Sequence, residues 1–166
     1  FNVVAPQMPH TDEPKIKEWV PFLAKLVGNP DENTYFVGHS IGCQTIMRYL
    51  ATLKNKKVGG IVFVSGWFNL TDYSFTEFPK YEKSSRKIAR PWEKNNIDFK
   101  KIKNTTSNII TIFSDNDPYV ALDNKKIFTK KLNAKIIVEH DKKHFRGADK
   151  VIKLPIVLEK ILEMSK

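Results

Sequence analysis

"TYFVGHSIGCQ", residues 34–44, carries a change of period within eleven residues. Thr34 to Val37 suits a short strand, whereas Ile41 to Lys54 repeats apolar residues at helical spacing and would bury Thr45, Ile46, Tyr49, Leu50 and Leu53. Between them lies Gly38-His39-Ser40-Ile41-Gly42, a Gly-x-Ser-x-Gly pattern set at a strand-to-helix junction. A serine on so sharp a turn needs small neighbours, which Gly38 and Gly42 supply. The turn lifts the hydroxyl above the sheet edge, at the start of a helix, where the backbone N–H of Ile41 can hold an oxyanion. The pattern alone also arises by chance in tight turns without chemistry, so its partners decide its meaning.

A serine hydroxyl is a poor nucleophile until a base removes its proton, and the base needs an orienting carboxylate. "FSDNDPYV" (113–120) follows one expected strand and "HDKKHF" (140–145) follows the next. Both fall at strand C-termini, where open α/β sheets build their sites, in the chain order Ser, acid, His. The acid is Asp117 or its rival Asp115, and the base is His144 or its rival His140. Pro118 fixes a turn beside Asp117, whereas Asp115 suits local turn hydrogen bonds. His140 falls at the end of its strand rather than in the loop beyond it. His39 packs or lines a pocket beside the serine, and His10 is a further pocket candidate. Trp67, Phe68, Trp92 and Phe145 are candidates for an apolar pocket, and Cys43 reads as a small buried residue.

Outward from this stretch, strands are expected at Asn2–Ala5, Val58–Ser65, Asn108–Phe113 and Lys135–Glu139. Helices are expected from about Asp12 to Val27, with a kink or break at Pro21, from Asp123 to Leu132, and at the C-terminus with Pro155 in its first turn. Alternating strands and helices predict an α/β fold, a mainly parallel sheet between helical layers, in a single domain over residues 1–166. Residues 68–107 are too long and too polar for a simple connection and predict a cap-like insertion with one or two short helices; the alternative is an ordinary crossover helix with long flanks, supplied by Ile97–Ile102.

The chain has a formal net charge of +10. The excess is lysine, 24 against 4 arginines, dispersed in pairs such as Lys56-Lys57 and Lys142-Lys143. That dispersion reads as a solvated surface, so neither a nucleic-acid nor a membrane partner is expected. No zinc-ligand spacing occurs, and no metal or organic cofactor is implied. The single Cys43 and the absence of any apolar run of spanning length point to a cytoplasmic protein.

A resemblance runs through nearly the whole chain. It rests on Met8-Pro9, Trp19-Val20-Pro21-Phe22, "VGHSIG" followed by "MRY", "IVFVSG", Arg90-Pro91-Trp92, "DNDPY" and His144-Phe145. In these the sequence resembles the small serine-hydrolase family of the α/β-hydrolase fold that includes retinoblastoma-binding protein 9 and the YdeN-like hydrolases. The resemblance implies a Ser-His-Asp triad of Ser40, His144 and Asp117 cleaving an ester or related acyl bond of a small-molecule substrate through an acyl-enzyme. A protein-binding module on the same scaffold is the alternative, although no sequence feature supports a protein partner. The family begins with a further strand and a loop carrying a second oxyanion N–H, so the sheet is expected to lack its first strand here. That unit is expected upstream of Phe1 in a longer protein.

Overall fold

The computed structural model describes residues 1–94 and 96–166. Four strands, β1 (Tyr35–His39), β2 (Gly60–Val64), β3 (Ile109–Ser114) and β4 (Lys135–Glu139), form one sheet in the order β1-β2-β3-β4, and each neighbouring pair is parallel. The helices are α1 (Ile16–Val27), α2 (Ile41–Thr52), α3 (Tyr73–Thr76), α4 (Glu82–Lys94), α5 (Phe99–Thr105), α6 (Asn124–Leu132) and α7 (Pro155–Met164).

The strand order explains the layers. Parallel strands need crossovers, and crossovers are right-handed. A sheet that always steps in one direction therefore places every crossover on one face. There α2, α5 and α6 pack with α1 and α4 around Ile61, Phe63, Ile109 and Phe113. The other face is covered by α7, beyond β4, where Ile161 joins Val62, Val64, Ile110 and Ile112. Covered on both sides, β2 and β3 are buried at every position, which accounts for their unbroken apolar runs.

Three expectations are corrected. Asn2–Ala5 joins no ladder, and Val3 and Val4 are 81% and 62% exposed. An apolar run becomes a strand only where a neighbour's edge accepts its hydrogen bonds. Pro21 does not break α1 into two helices; α1 runs unbroken from Ile16 to Val27. The missing proline N–H removes one bond, while Trp19 anchors the helix by donating from Nε1 to the Pro9 carbonyl at 2.7 Å. Between β2 and β3 the described residues form three α-helices rather than one or two; α5 overlaps the helix expected at Ile97–Ile102, and Pro91 lies inside the longest, α4. The last expected helix does form, with Pro155 at its start, yet Leu158 and Leu162 of its apolar set are exposed.

Residues 68–107 hold α3, a 3₁₀ turn at Pro79–Tyr81, α4 and α5. This segment is tied to α2 through buried Arg48, which donates to the Trp92 carbonyl at 2.8 Å and lies 5.3 Å from the centre of the Trp92 ring. No helix among the described residues is long and apolar enough to cross a membrane.

Candidate active site

Each of the four strands delivers one residue of the site just past its C-terminal end. Ser40 follows β1, Ser65 follows β2, Asp117 follows β3 and His144 follows β4. Ser40 has φ 51° and ψ −120°, a conformation that L-residues rarely adopt. Its N–H donates to the Val64 carbonyl at 2.9 Å and its carbonyl accepts from Cys43 N–H at 3.0 Å, which fixes the turn between β2 and the first turn of α2. Ile41 opens α2, so its N–H belongs to the first-turn donors that no intrahelical carbonyl reaches. It stands directly beside the serine.

The two glycines of the motif differ. A Cβ on Gly38 would lie 2.8 Å from Ile46 Cδ1 and 2.9 Å from the Cys43 nitrogen, whereas one on Gly42 would meet nothing within 4 Å. The expectation that both positions must be small therefore holds for Gly38 alone. Gly38→Ala is expected to cost about 1–3 kcal/mol in denaturant unfolding, because the helix backbone must retreat, while Gly42→Ala is tolerated. Equal losses from both would contradict this reading.

Ser40 Oγ lies 3.1 Å from His144 Nε2, and His144 Nδ1 lies 2.8 Å and 3.1 Å from the two Asp117 carboxylate oxygens. An ionised carboxylate only accepts, so Nδ1 carries the proton and Nε2 presents its lone pair to the serine. The His144 and Asp117 side chains are 9% and 1% exposed. Burial pushes the Asp117 carboxyl up, but the hydrogen bond and charge of His144, with bonds from Ser65 and the Tyr119 N–H, hold it below the ordinary carboxylate value. The Val120 N–H adds a further bond at 3.1 Å.

The rival acid and base pair with each other instead. Asp115 Oδ2 lies 2.5 Å from His140 Nδ1, and Asp115 Oδ1 accepts from the Asp141 N–H. His140 is 91% exposed and its pKa is raised by the hydrogen bond it donates to Asp115. His10 bonds Glu18 at the surface. His39 donates from Nε2 to the His144 carbonyl at 2.8 Å, and its ring lies tilted against the His144 ring with centres 4.9 Å apart. Burial and the charge of His144 depress its pKa, so it props the His144 loop as a neutral donor.

Beside Ser40 opens a cleft of about 300 Å³. Ile41, Trp67, Leu70, Phe75, Ile88 and Tyr119 line it, with Arg146 at its side. Of the expected pocket residues only Trp67 does so. Phe68 packs on Phe99 and Phe128, Trp92 packs on Trp19, and Phe145 turns to the α7 face. These large rings are drawn into the two cores, and residues 68–107 supply part of the pocket wall in their place. Cys43 is buried, its S–H directed at the Val64 carbonyl and its pKa pushed up by burial. Among the described residues, no group of three or more His, Cys, Asp or Glu side chains is placed to hold a metal ion.

Sequence reasoning passed over Ser65, although it too stands at the end of an apolar strand. Its hydroxyl donates to Asp117 Oδ2 at 2.7 Å, its residue is fully buried, and its φ is 45°. Hydrogen bonds to charged groups contribute about 1.5–3 kcal/mol. Ser65→Ala is therefore expected to destabilise the fold by that order, seen as a lower urea midpoint, and to loosen Asp117 against His144. An unchanged midpoint would show that the bond contributes nothing.

Comparison with known proteins matches residues 2–162 to the family described as serine hydrolase. YdeN of Bacillus subtilis (strain 168) is 27% identical over 153 residues, spanning 92% of this chain and 74% of that protein. Serine hydrolase RBBP9 of Rattus norvegicus is 28% identical over 149 residues, spanning 90% of this chain and 72% of that protein. The crystal structure of the ydeN gene product of B. subtilis superposes with a TM-score of 0.82 at 26% identity, covering 97% of this chain and 81% of that one.

Proposed function

This chain belongs to the serine hydrolase family, and from that premise we propose that it cleaves an ester or related acyl bond through Ser40, His144 and Asp117. The observation that carries this reading is the unbroken line of hydrogen bonds from the Ser40 hydroxyl through the His144 ring to the buried Asp117 carboxylate. As Ser40 Oγ attacks the substrate carbonyl, His144 Nε2 takes its proton. The oxyanion that forms faces the Ile41 N–H. Collapse breaks the bond to the alkoxide, which leaves with the proton from His144. His144 next deprotonates a water that attacks the acyl-serine and releases the acid, and the proton returns to Ser40. Asp117 holds the imidazole in its working tautomer and stabilises the imidazolium.

The cleft, near 300 Å³, is at the small end of ligand pockets, which favours short or medium acyl groups in a carboxylesterase-like reaction. The single, buried Cys43 suits a reducing cytoplasm. Mixing the protein with p-nitrophenyl esters of rising chain length tests the reading. A burst of nitrophenol equal to the protein concentration, with the acyl mass on the peptide holding Ser40, is expected. Turnover without any acyl-serine would sink the mechanism, and neither turnover nor adduct would favour a non-catalytic binding module.

A further inference from the structure

Helix α4 has two working faces. Ser85, Ile88 and Ala89 line the cleft at Ser40, and Trp92 is buried. Lys83, Arg86, Lys87, Arg90 and Lys94 recur at three- and four-residue steps along the other side, where with Pro91 they line an open groove of about 490 Å³. Among the described residues, no carboxylate lines that groove. Residues 73–94 hold six cations against Glu77, Glu82 and Glu93. Arg86 is paired with Glu82 and Asp72, whereas Lys83, Lys87, Arg90 and Lys94 are exposed and make no ion pair among the described residues. Like charges at this spacing repel, a cost that an anionic counter-surface would remove.

Exposed aromatic rings lie on the same segment. Tyr73, Phe78 and Tyr81 are 46%, 62% and 55% exposed, and Lys80 Nζ sits 5.5 Å from the centre of the Tyr81 ring. Exposed aromatics beside lysines with long apolar stems make an interfacial composition, and four or more cations on an amphipathic helix suit anionic lipid. Three of the four unpaired cations are lysines, point charges that fit a diffuse anionic surface better than the forked contacts by which arginine reads single phosphates. In the sequence these residues are scattered letters. The helix gathers them.

We propose that the outer face of the cap, Tyr73 to Lys94, docks on an anionic lipid bilayer, with the cations at the headgroups and the three rings in the headgroup–acyl boundary. Docking brings the cleft to within about one helix diameter, 10–12 Å, of the lipid. The proposal does not depend on the chemistry at Ser40, since binding is read without turnover.

The test is co-sedimentation of the protein with phosphatidylcholine vesicles, with and without phosphatidylserine. The wild-type protein is expected to bind only the phosphatidylserine vesicles, and less as salt rises. Each near-surface cation contributes a factor of about five, so the combined variant K83Q/K87Q/R90Q/K94Q is expected to bind about a hundredfold or more weakly. Its turnover of a soluble ester and its circular dichroism should match wild type. Should that variant misfold, F78S/Y81S is expected to weaken vesicle binding with every cation in place. Equal binding of wild type to both vesicle types, wild-type affinity in the folded charge variant, or displacement from vesicles by a single-stranded RNA at equal phosphate would each overturn the proposal.

Discussion

Replacing Ser40 by alanine is expected to abolish covalent labelling by a fluorophosphonate and to lower ester turnover by about a millionfold, the usual loss for a triad nucleophile. The change removes one oxygen and the 3.1 Å contact with His144 Nε2. It keeps the Cβ, so the positive φ of this position strains alanine no more than serine. The bond from the residue 40 N–H to the Val64 carbonyl is a backbone bond and survives. Circular dichroism and the unfolding midpoint should therefore stay close to wild type while activity disappears. Wild-type turnover in this variant would end the assignment of Ser40 as nucleophile.

Asp117→Asn is expected to lower turnover by about ten-thousandfold, and Asp115→Asn to leave it near wild type. One Asp117 oxygen accepts from the Tyr119 and Val120 N–H groups, and the other accepts from Ser65 and His144. In the asparagine the first oxygen is retained, so the amide NH₂ must face His144. That forces the imidazole to accept at Nδ1 and to carry its proton toward Ser40, the wrong tautomer for a base. The same carboxylate sets a pH dependence. Its pKa is held below the ordinary value, so the stability it contributes is present above the unfolded carboxylate pKa and is lost as pH falls through the folded one. Acid unfolding of Asp117→Asn should lack that component. Asp115→Asn releases only exposed His140, whose raised pKa should relax toward the ordinary value in an NMR titration. A severe activity loss on the Asp115 side, with a mild one at Asp117, would reverse the assignment.

The sequence by itself determined what local geometry and burial dictate. Val58 to Ser65 and Asn108 to Phe113 had to be interior strands, because only a strand covered on both faces tolerates such runs. The position of Ser40 between a strand and a helix followed from the change of period, and the strand ends located the loops holding Asp117 and His144. Choosing within each loop required the tertiary structure. "DND" and "HDKKH" each offer two groups of the same chemistry, and the selection rests on contacts across 27 residues for Asp117–His144 and 104 for Ser40–His144. The cleft was likewise illegible, since a large ring fits a core and a pocket equally well until packing assigns it. Phe68, Trp92 and Phe145 went to the cores, while Leu70, Phe75 and Ile88 came from the segment between β2 and β3, whose longest helix runs through Pro91. Asn2–Ala5 had the residues of a strand but joins no ladder. Residue type sets what a segment can form; only neighbours in space satisfy its hydrogen bonds and decide which of its side chains meet.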